Sequence, residues 1–346
     1  MDVQGGSGIR VSAGLHMIGM ALLGCGRIGK MHARNLARHP AVKLQCVYDV
    51  LTAAAEGTAR EVGTRCARSV DEVMADPAVQ AVLIATSTET HVALITAAAH
   101  AHKAVLCEKP IDLDLARAKR CWNEIAPLRP TVMIGFNRRF DPSFRSLRER
   151  LGAGEIGVPE LVIITSRDPA PPSVAYAKTS GGMFRDMTIH DFDMARYLLG
   201  DILELQAFGA NLVDPAIGAI GDIDTAMLVL RATSGALVHI DNSRRCVYGY
   251  DQRIEVFGSK GMLRAGNQHA TTVESWNAAS TRSGDLVKQF FIERYADAYA
   301  AEIDHFATCV REGRAPAPSF ADGVSALELA EAAVHSLHSG QTVRLS

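Results

Sequence analysis

Residues 20–35 read MALLGCGRIGKMHARN: four apolar residues, then Gly24, Gly26 and Gly29 spaced G-x-G-x-x-G, then a stretch with helical spacing of its apolar residues. A strand that stops at a glycine turn and feeds a helix is the arrangement a dinucleotide pyrophosphate requires. The first glycine allows the tight turn, the second lets backbone approach the phosphates, and the third lets helix and sheet pack closely, while N–H groups of the helix start face the anion. The three glycines alone would suit any glycine-rich turn, so position decides. The next apolar run closes with Val47-Tyr48-Asp49, twenty residues beyond Gly29, where an acidic side chain receives the adenosine ribose hydroxyls. Asp49 also favours NAD over NADP, because a carboxylate repels a 2′-phosphate and Val50-Leu51 supply no arginine to accept one.

Outward from this loop, short apolar runs at Met20–Leu23, Leu44–Tyr48, Ala81–Ala85, Ala104–Cys107 and Val132–Ile134 alternate with helical patterns at Ile28–Arg38, Ala53–Val62, Thr90–His100 and Leu113–Ile125. That alternation is the mark of βαβ units on a parallel sheet. VLIAT at 82–86 has the unbroken apolar character of a strand buried on both faces. Residues 18–139 are therefore expected to form a Rossmann domain, a doubly wound α/β sheet. Residues 1–17, rich in Gly and small side chains, are expected to be a disordered leader. Beyond Asp141-Pro142 a helix at 144–151 precedes longer alternating runs at 160–166, 203–210, 225–231, 236–243, 251–257 and 272–274. Turns such as Thr233-Ser234-Gly235 separate them, so residues 140–346 are expected to build an α+β substrate-binding and oligomerisation domain on a large, open, mostly antiparallel sheet. Further helices are expected at 189–199, 296–312 and 321–337, the last able to pack back on the first domain, and a short run at 342–345 closes the chain.

The length of 346 residues suits two domains. Lys plus Arg number 36 against 38 Asp plus Glu, a balance with no general attraction for nucleic acid or anionic lipid, so a small molecule is the expected partner. The seven cysteines are scattered and never spaced C-x-x-C, which points to neither a disulfide framework nor a zinc cluster and makes a reducing cytoplasm the expected location. No run of 18 apolar residues marks a membrane span. None of the twelve histidines lies in H-E-x-x-H or beside a suitably spaced cysteine, so no metal is expected.

A nucleotide domain does not name a reaction, and the chemistry must come from other residues. Cys107-Glu108-Lys109-Pro110 closes the 104–107 run at the carboxyl edge of the sheet, where open α/β sheets place ligands. Lys109 is thereby aimed into the crevice, and Pro110 restrains the chain around it. Further on, Asp186 and His190 are four residues apart within GGMFRDMTIHDFD. On a helix they share a face, and the carboxylate can orient the imidazole. Oxidising an alcohol needs a base for the hydroxyl proton, and imidazole suits that task near neutral pH. The same spacing also fits a helix start capped by Asp186 with His190 as a satisfied polar group.

Together these segments resemble the Gfo/Idh/MocA oxidoreductases, and within them the bacterial inositol 2-dehydrogenases, over nearly the whole chain from Ile18. The resemblance rests on GCGRIGKMHARN, CEKP, GFNRRFDPSF, GGMFRDMTIHDFDMARYLLG, DNSRRCVYGYDQRIEVFGSKGM and FFIERYADAYAAEIDHF. It implies NAD-dependent oxidation of a ring hydroxyl of a cyclic polyol, myo-inositol to 2-keto-myo-inositol (scyllo-inosose). Another inositol epimer, a pyranose, or an NAD-dependent glycosidase on the same fold are the alternatives. The implied catalytic set is Lys109, Asp186 and His190, with His190 as base, Asp186 tuning it and Lys109 polarising the reacting hydroxyl. Arg138, Asp193 and Tyr250 match polyol-contacting positions. The cofactor is expected on Gly24, Gly26, Arg27, Ile28 and Gly29, on Asp49, and along the sheet edge on Thr86, His91, Glu108 and Lys109. A homotetramer joined through the open sheet faces is implied too. The sequence departs from some relatives at Asn137 and at Ser166-Arg167-Asp168-Pro169, which bears on epimer preference. Arg244-Arg245 reads as a charge pair and not as a nucleic-acid patch.

Overall fold

The computed structural model describes residues 17–345; apart from Met17, the expected leader lies outside them. The first sheet has the order β3-β2-β1-β4-β5-β6, all parallel. Its strands are β1 (Ile18–Leu23), β2 (Val42–Tyr48), β3 (Arg65–Cys66), β4 (Ala81–Ile84), β5 (Ala104–Glu108) and β6 (Val132–Gly135). Between them run α1 (Arg27–Arg38), α2 (Thr52–Val62), α3 (Val70–Ala75), α4 (His91–His100) and α5 (Leu115–Ile125). β1 and β4 are buried throughout, as their unbroken apolar runs require when helices cover both faces. Two elements went unforeseen. β3 is two residues long and carries no apolar run, and α3 depends on a cap, the Ser69 side chain accepting from Glu72 N at 3.1 Å. The strand order reverses direction between β1 and β4, which opens a crevice at their carboxyl ends.

After α6 (Pro142–Gly152) come β7 (Pro159–Arg167), α7 (Val174–Ala177), α8 (Ile189–Leu199), β8 (Ile202–Ala210), α9 (Pro215–Gly218), β9 (Thr225–Ala232), β10 (Leu237–Ser243), β11 (Asp251–Gly258) and β12 (Gly261–Ala265). The short hairpin β13 (Glu274–Asn277) and β14 (Ser280–Gly284) follows, then α10 (Phe291–Arg294), α11 (Ala296–Glu312), α12 (Phe320–Ser339) and β15 (Val343–Arg344). The second sheet has the order β12-β11-β7-β10-β9-β8-β15. It is antiparallel except at its centre, where β10 runs parallel to β7, a pairing that alternation alone could not reveal. The strand expected at 272–274 is instead the start of the separate hairpin, and β12, hidden behind the Gly258–Gly261 turn, extends the sheet.

Helices α6, α8 and α12 lie on one face of this second sheet. The other exposes Leu161 and Ile163 of β7, Phe208 of β8, Met227 and Val229 of β9, Phe257 of β11 and Met262 of β12. α12 straddles both halves. Phe320, Ala326 and Leu327 join the core of the first sheet, whereas Leu329, Ala330 and Ala333 join that of the second. No helix among the described residues is long and apolar enough to cross a membrane.

Candidate active site

The phosphate loop is shaped by what its glycines lack. Gly24 has φ +97°, and a Cβ there would lie 2.4 Å from the Ala85 carbonyl oxygen; one on Gly29 would lie 1.9 Å from the Gly24 oxygen. A Cβ on Gly26 would meet nothing within 4 Å, and no side chain caps α1 there. The loop is thus tight on the sheet side and open where an anion would meet the helix start, which fits a pyrophosphate. Asp49 at the end of β2 accepts from Cys25 N at 2.7 Å and from Leu51 N at 2.8 Å. It therefore ties the loop to the second strand as well as offering its remaining lone pairs to a ribose. These residues, with Arg27 and Ile28 opening α1, suit a dinucleotide.

The other expected cofactor residues differ among themselves. Thr86 sits just beyond β4, its hydroxyl 2.6 Å from that of Thr90. His91 does not face the crevice. It is buried, with Nδ1 2.8 Å from the Pro110 oxygen and Nε2 3.2 Å from the Thr86 oxygen, and burial lowers its pKa. A neutral ring carries one N–H, so His91 donates to one of these two carbonyls, which one depending on its tautomer. Glu108 is bound to His32 of α1 at 2.7 Å.

Lys109 follows β5 and reaches across to the second half. Its Nζ donates to the Asp186 carbonyl oxygen at 2.7 Å and lies 3.5 Å from Asp186 Oδ1. The Asp186 carboxylate also accepts from the Tyr176 hydroxyl at 2.8 Å on Oδ1 and from Arg244 Nη2 at 3.1 Å on Oδ2. Burial pushes this carboxyl up, yet Lys109, Arg244 and the Tyr176 bond outweigh it and hold it below the usual carboxylate range. Asp168, 3.6 Å from Arg244 Nη1, has the opposite balance: burial, with Asp186 adding to it, pushes it up to about 6 against the pull of Arg244.

His190 opens α8 beside this cluster, its ring edge-on to Phe136 with centroids 6.2 Å apart. Burial, then Lys109 and Arg138, drive its pKa well below the ordinary histidine value, so the imidazole is neutral at neutral pH and free to take a proton. Nδ1 is buried without a partner. The expected pairing of His190 with Asp186 is therefore corrected. Phe184–Thr188 winds as a π-helical turn, which breaks the register that stacks residues four apart, and both Asp186 oxygens are engaged by other partners.

Of the expected polyol residues, Arg138 and Tyr250 belong to this region and Asp193 does not. Arg138 Nη1 donates to Asp191 Oδ1 at 2.6 Å and to Ser166 Oγ at 2.9 Å. Asp191 is fully buried and also accepts from Ser166 Oγ at 2.6 Å and Asn242 Nδ2 at 2.8 Å. Ser166, Asn242 and Gln252 are direct neighbours across β10, β7 and β11, so one polar row crosses the inner face of the sheet and fixes the arginine. Tyr250 stands edge-on to Tyr295 at 6.0 Å, and burial raises its phenol well above the ordinary value. Asp193 is taken by Arg139, at 2.7 and 2.9 Å, and Arg139 also holds Asp322 of α12 at 3.0 Å. Sequence reading missed Tyr176, Arg244 and Asp191. The inward alternation of β10, with Val238, Ile240 and Asn242 buried, continues to Arg244, 2% exposed, and was the available signal that this arginine points inward.

Two family descriptions cover this chain. Residues 18–136 match the oxidoreductase family with an NAD-binding Rossmann fold, and residues 144–264 match the Gfo/Idh/MocA C-terminal domain. The chain belongs to the Gfo/Idh/MocA oxidoreductase family. It is 47% identical over 317 residues to the inositol 2-dehydrogenase of Rhizobium meliloti strain 1021, covering 91% of this chain and 96% of that one. Among solved structures it resembles a myo-inositol dehydrogenase from Corynebacterium glutamicum with a TM-score of 0.93 at 46% identity, over 95% of this chain and 99% of that one. It also resembles the scyllo-inositol dehydrogenase of Lactobacillus casei with bound NAD(H) and scyllo-inositol, with a TM-score of 0.88 at 28% identity over 95% and 99% of the two chains. This family member thus carries an NAD-binding oxidoreductase domain whose crevice opens on the Lys109–Asp186–His190 cluster.

Proposed function

We propose that this chain is an NAD-dependent inositol 2-dehydrogenase that oxidises a ring hydroxyl of myo-inositol to 2-keto-myo-inositol. The observation that carries the proposal is the neutral, partly buried imidazole of His190 near Lys109 at the carboxyl edge of the nucleotide-binding sheet. Bound NAD⁺ supplies the hydride acceptor. His190 takes the hydroxyl proton as the C–H bond is oxidised, and the cost of charging a partly buried ring falls only when that proton arrives. Lys109, pinned by Asp186, binds the reacting oxygen and favours its developing negative charge. Arg138 and Tyr250 serve other ring hydroxyls. Directional donors of this kind discriminate epimers because a misplaced hydroxyl strands a buried polar group.

The loop of Gly24, Gly26, Arg27, Ile28 and Gly29 would hold the pyrophosphate and Asp49 the adenosine ribose. The exposed apolar face of the second sheet supports assembly as a homotetramer through that face. Initial rates on a panel of inositols, pyranoses and glycosides, followed as NADH absorbance with NAD⁺ and NADP⁺ in parallel, test the reading. Turnover of myo-inositol with NAD⁺ is the expected result. Preference for another epimer or a pyranose would move the substrate assignment, and release of sugar from a glycoside without net NADH would replace the reaction with a glycosidase.

A further inference from the structure

Asp186 is held at both oxygens by residues that belong to neither its own helical turn nor the cofactor half. Tyr176 stands on the four-residue α7, half-exposed, with its ring at the surface and its hydroxyl turned inward to Oδ1 at 2.8 Å. Arg244 stands just past β10, almost wholly buried, with Nη2 on Oδ2 at 3.1 Å and Nη1 toward Asp168 at 3.6 Å. Its backbone N donates to the Asp224 oxygen at 2.8 Å, which anchors the arginine to the neighbouring strand.

We propose that Tyr176 and Arg244 are positioning residues that clamp Asp186 from two sides, keeping it ionised and directed at Lys109. The proposal rests on the dehydrogenase reading of the site and deepens it, since it assigns the tuning of the carboxylate to residues outside the Lys109–Asp186–His190 set. A carboxylate taken out of water is driven toward its neutral form unless opposite charge and donors compensate. Here burial is the largest influence on Asp186 and acts upward. The groups facing it are Lys109 from the end of β5, Arg244 from beyond β10, Tyr176 from α7 and Asp168 from beyond β7, with His190 on the following helix. Lys109 meets Oδ1 only at 3.5 Å and spends its 2.7 Å bond on the Asp186 backbone oxygen. The two close side-chain donors to the carboxylate are therefore Tyr176 and Arg244. A phenol gripping a carboxylate from an exposed short helix also links that surface segment to the catalytic centre.

The test is infrared spectroscopy of the protonated-carboxyl stretch across a pH titration of the full chain, with Asp186→Asn as the blank that isolates the Asp186 signal. In wild type the Asp186 band stays absent down to pH 5. In Tyr176→Phe/Arg244→Gln, the Asp186 proton is taken up about one to three pH units higher, the shift that an adjacent cation and hydrogen bond produce. Arg244→Lys restores most of the wild-type behaviour because it returns the charge. A second acid limb of kcat/KM for the polyol, below the step set by Asp168 near pH 6, moves with the band, while NADH affinity, read by fluorescence, stays within about threefold, less than one 1.4 kcal/mol step. If the double variant loses its circular dichroism signature, Tyr176→Phe alone reads the same band with a smaller upward shift. An unshifted Asp186 band in a folded variant overturns the clamp. Absence of inositol turnover in wild type would overturn the parent reading and leave the infrared result standing by itself.

Discussion

The phosphate loop and the charge cluster that faces it are built by opposite means. The loop works through backbone: Gly24 and Gly29 fit where a single carbon would strike a carbonyl at 2.4 or 1.9 Å, and its partner Asp49 is held by two backbone N–H groups. The cluster works through side chains, drawn from β5, α7, α8 and β10, whose charges set one another's protonation. The backbone site admits no added bulk at Gly24 or Gly29. A charge site tolerates bulk at its rim and no change of charge at its centre.

The sharpest way to break this contrast is to separate chemistry from cofactor binding. His190→Ala should lower kcat by about 10²–10⁴-fold, the range for a general base, while the NADH dissociation constant measured by fluorescence stays put. Normal turnover in that variant would remove the base from the scheme. Gly29→Ala should do the reverse, weakening NADH by about tenfold or more, or roughly 1.4 kcal/mol, because the loop must open to admit the methyl group. Full NADH affinity in Gly29→Ala would show that the loop is less rigid than its contacts imply.

A smaller effect concerns pH. His190 is already neutral well below its ordinary value, so as pH falls the group in the cluster that gains a proton near pH 6 is Asp168, whose carboxyl is pushed up to about 6. Its raised value means the negative charge is present above that pH and lost below it. The kcat/KM profile should accordingly decline as pH drops through about 6, and Asp168→Asn should flatten that limb. A profile in Asp168→Asn that keeps the same limb would assign it to another group.

The same contrast explains what could be read in advance. The loop was legible because its requirement is local: three glycines, a preceding strand and an acidic residue one βα unit later. The cluster was only half legible. Lys109 and His190 announced themselves by motif, yet Asp191 and Asp193, two residues apart on one helix, point about 200° apart. Spacing could not say which faces the cleft. Asp191 turned out to brace Arg138, and Asp193 went to Arg139 and the α12 contact. Asp186 and His190 looked like helical neighbours until the π-helical turn parted them.

By itself the amino-acid order determined the parallel nucleotide-binding sheet, its phosphate loop, and the residue types needed to oxidise an alcohol. Each follows from periodicity or from groups within a few tens of residues. Tertiary structure alone decided which partners each charge found: Tyr176 and Arg244 on Asp186, the Ser166–Asn242 row beneath Arg138, and the parallel β7–β10 pair that builds the row. The reason is physical. Backbone conformation is governed by neighbours in sequence, whereas the protonation and direction of a buried charge are governed by whatever the fold brings within a few ångströms of it.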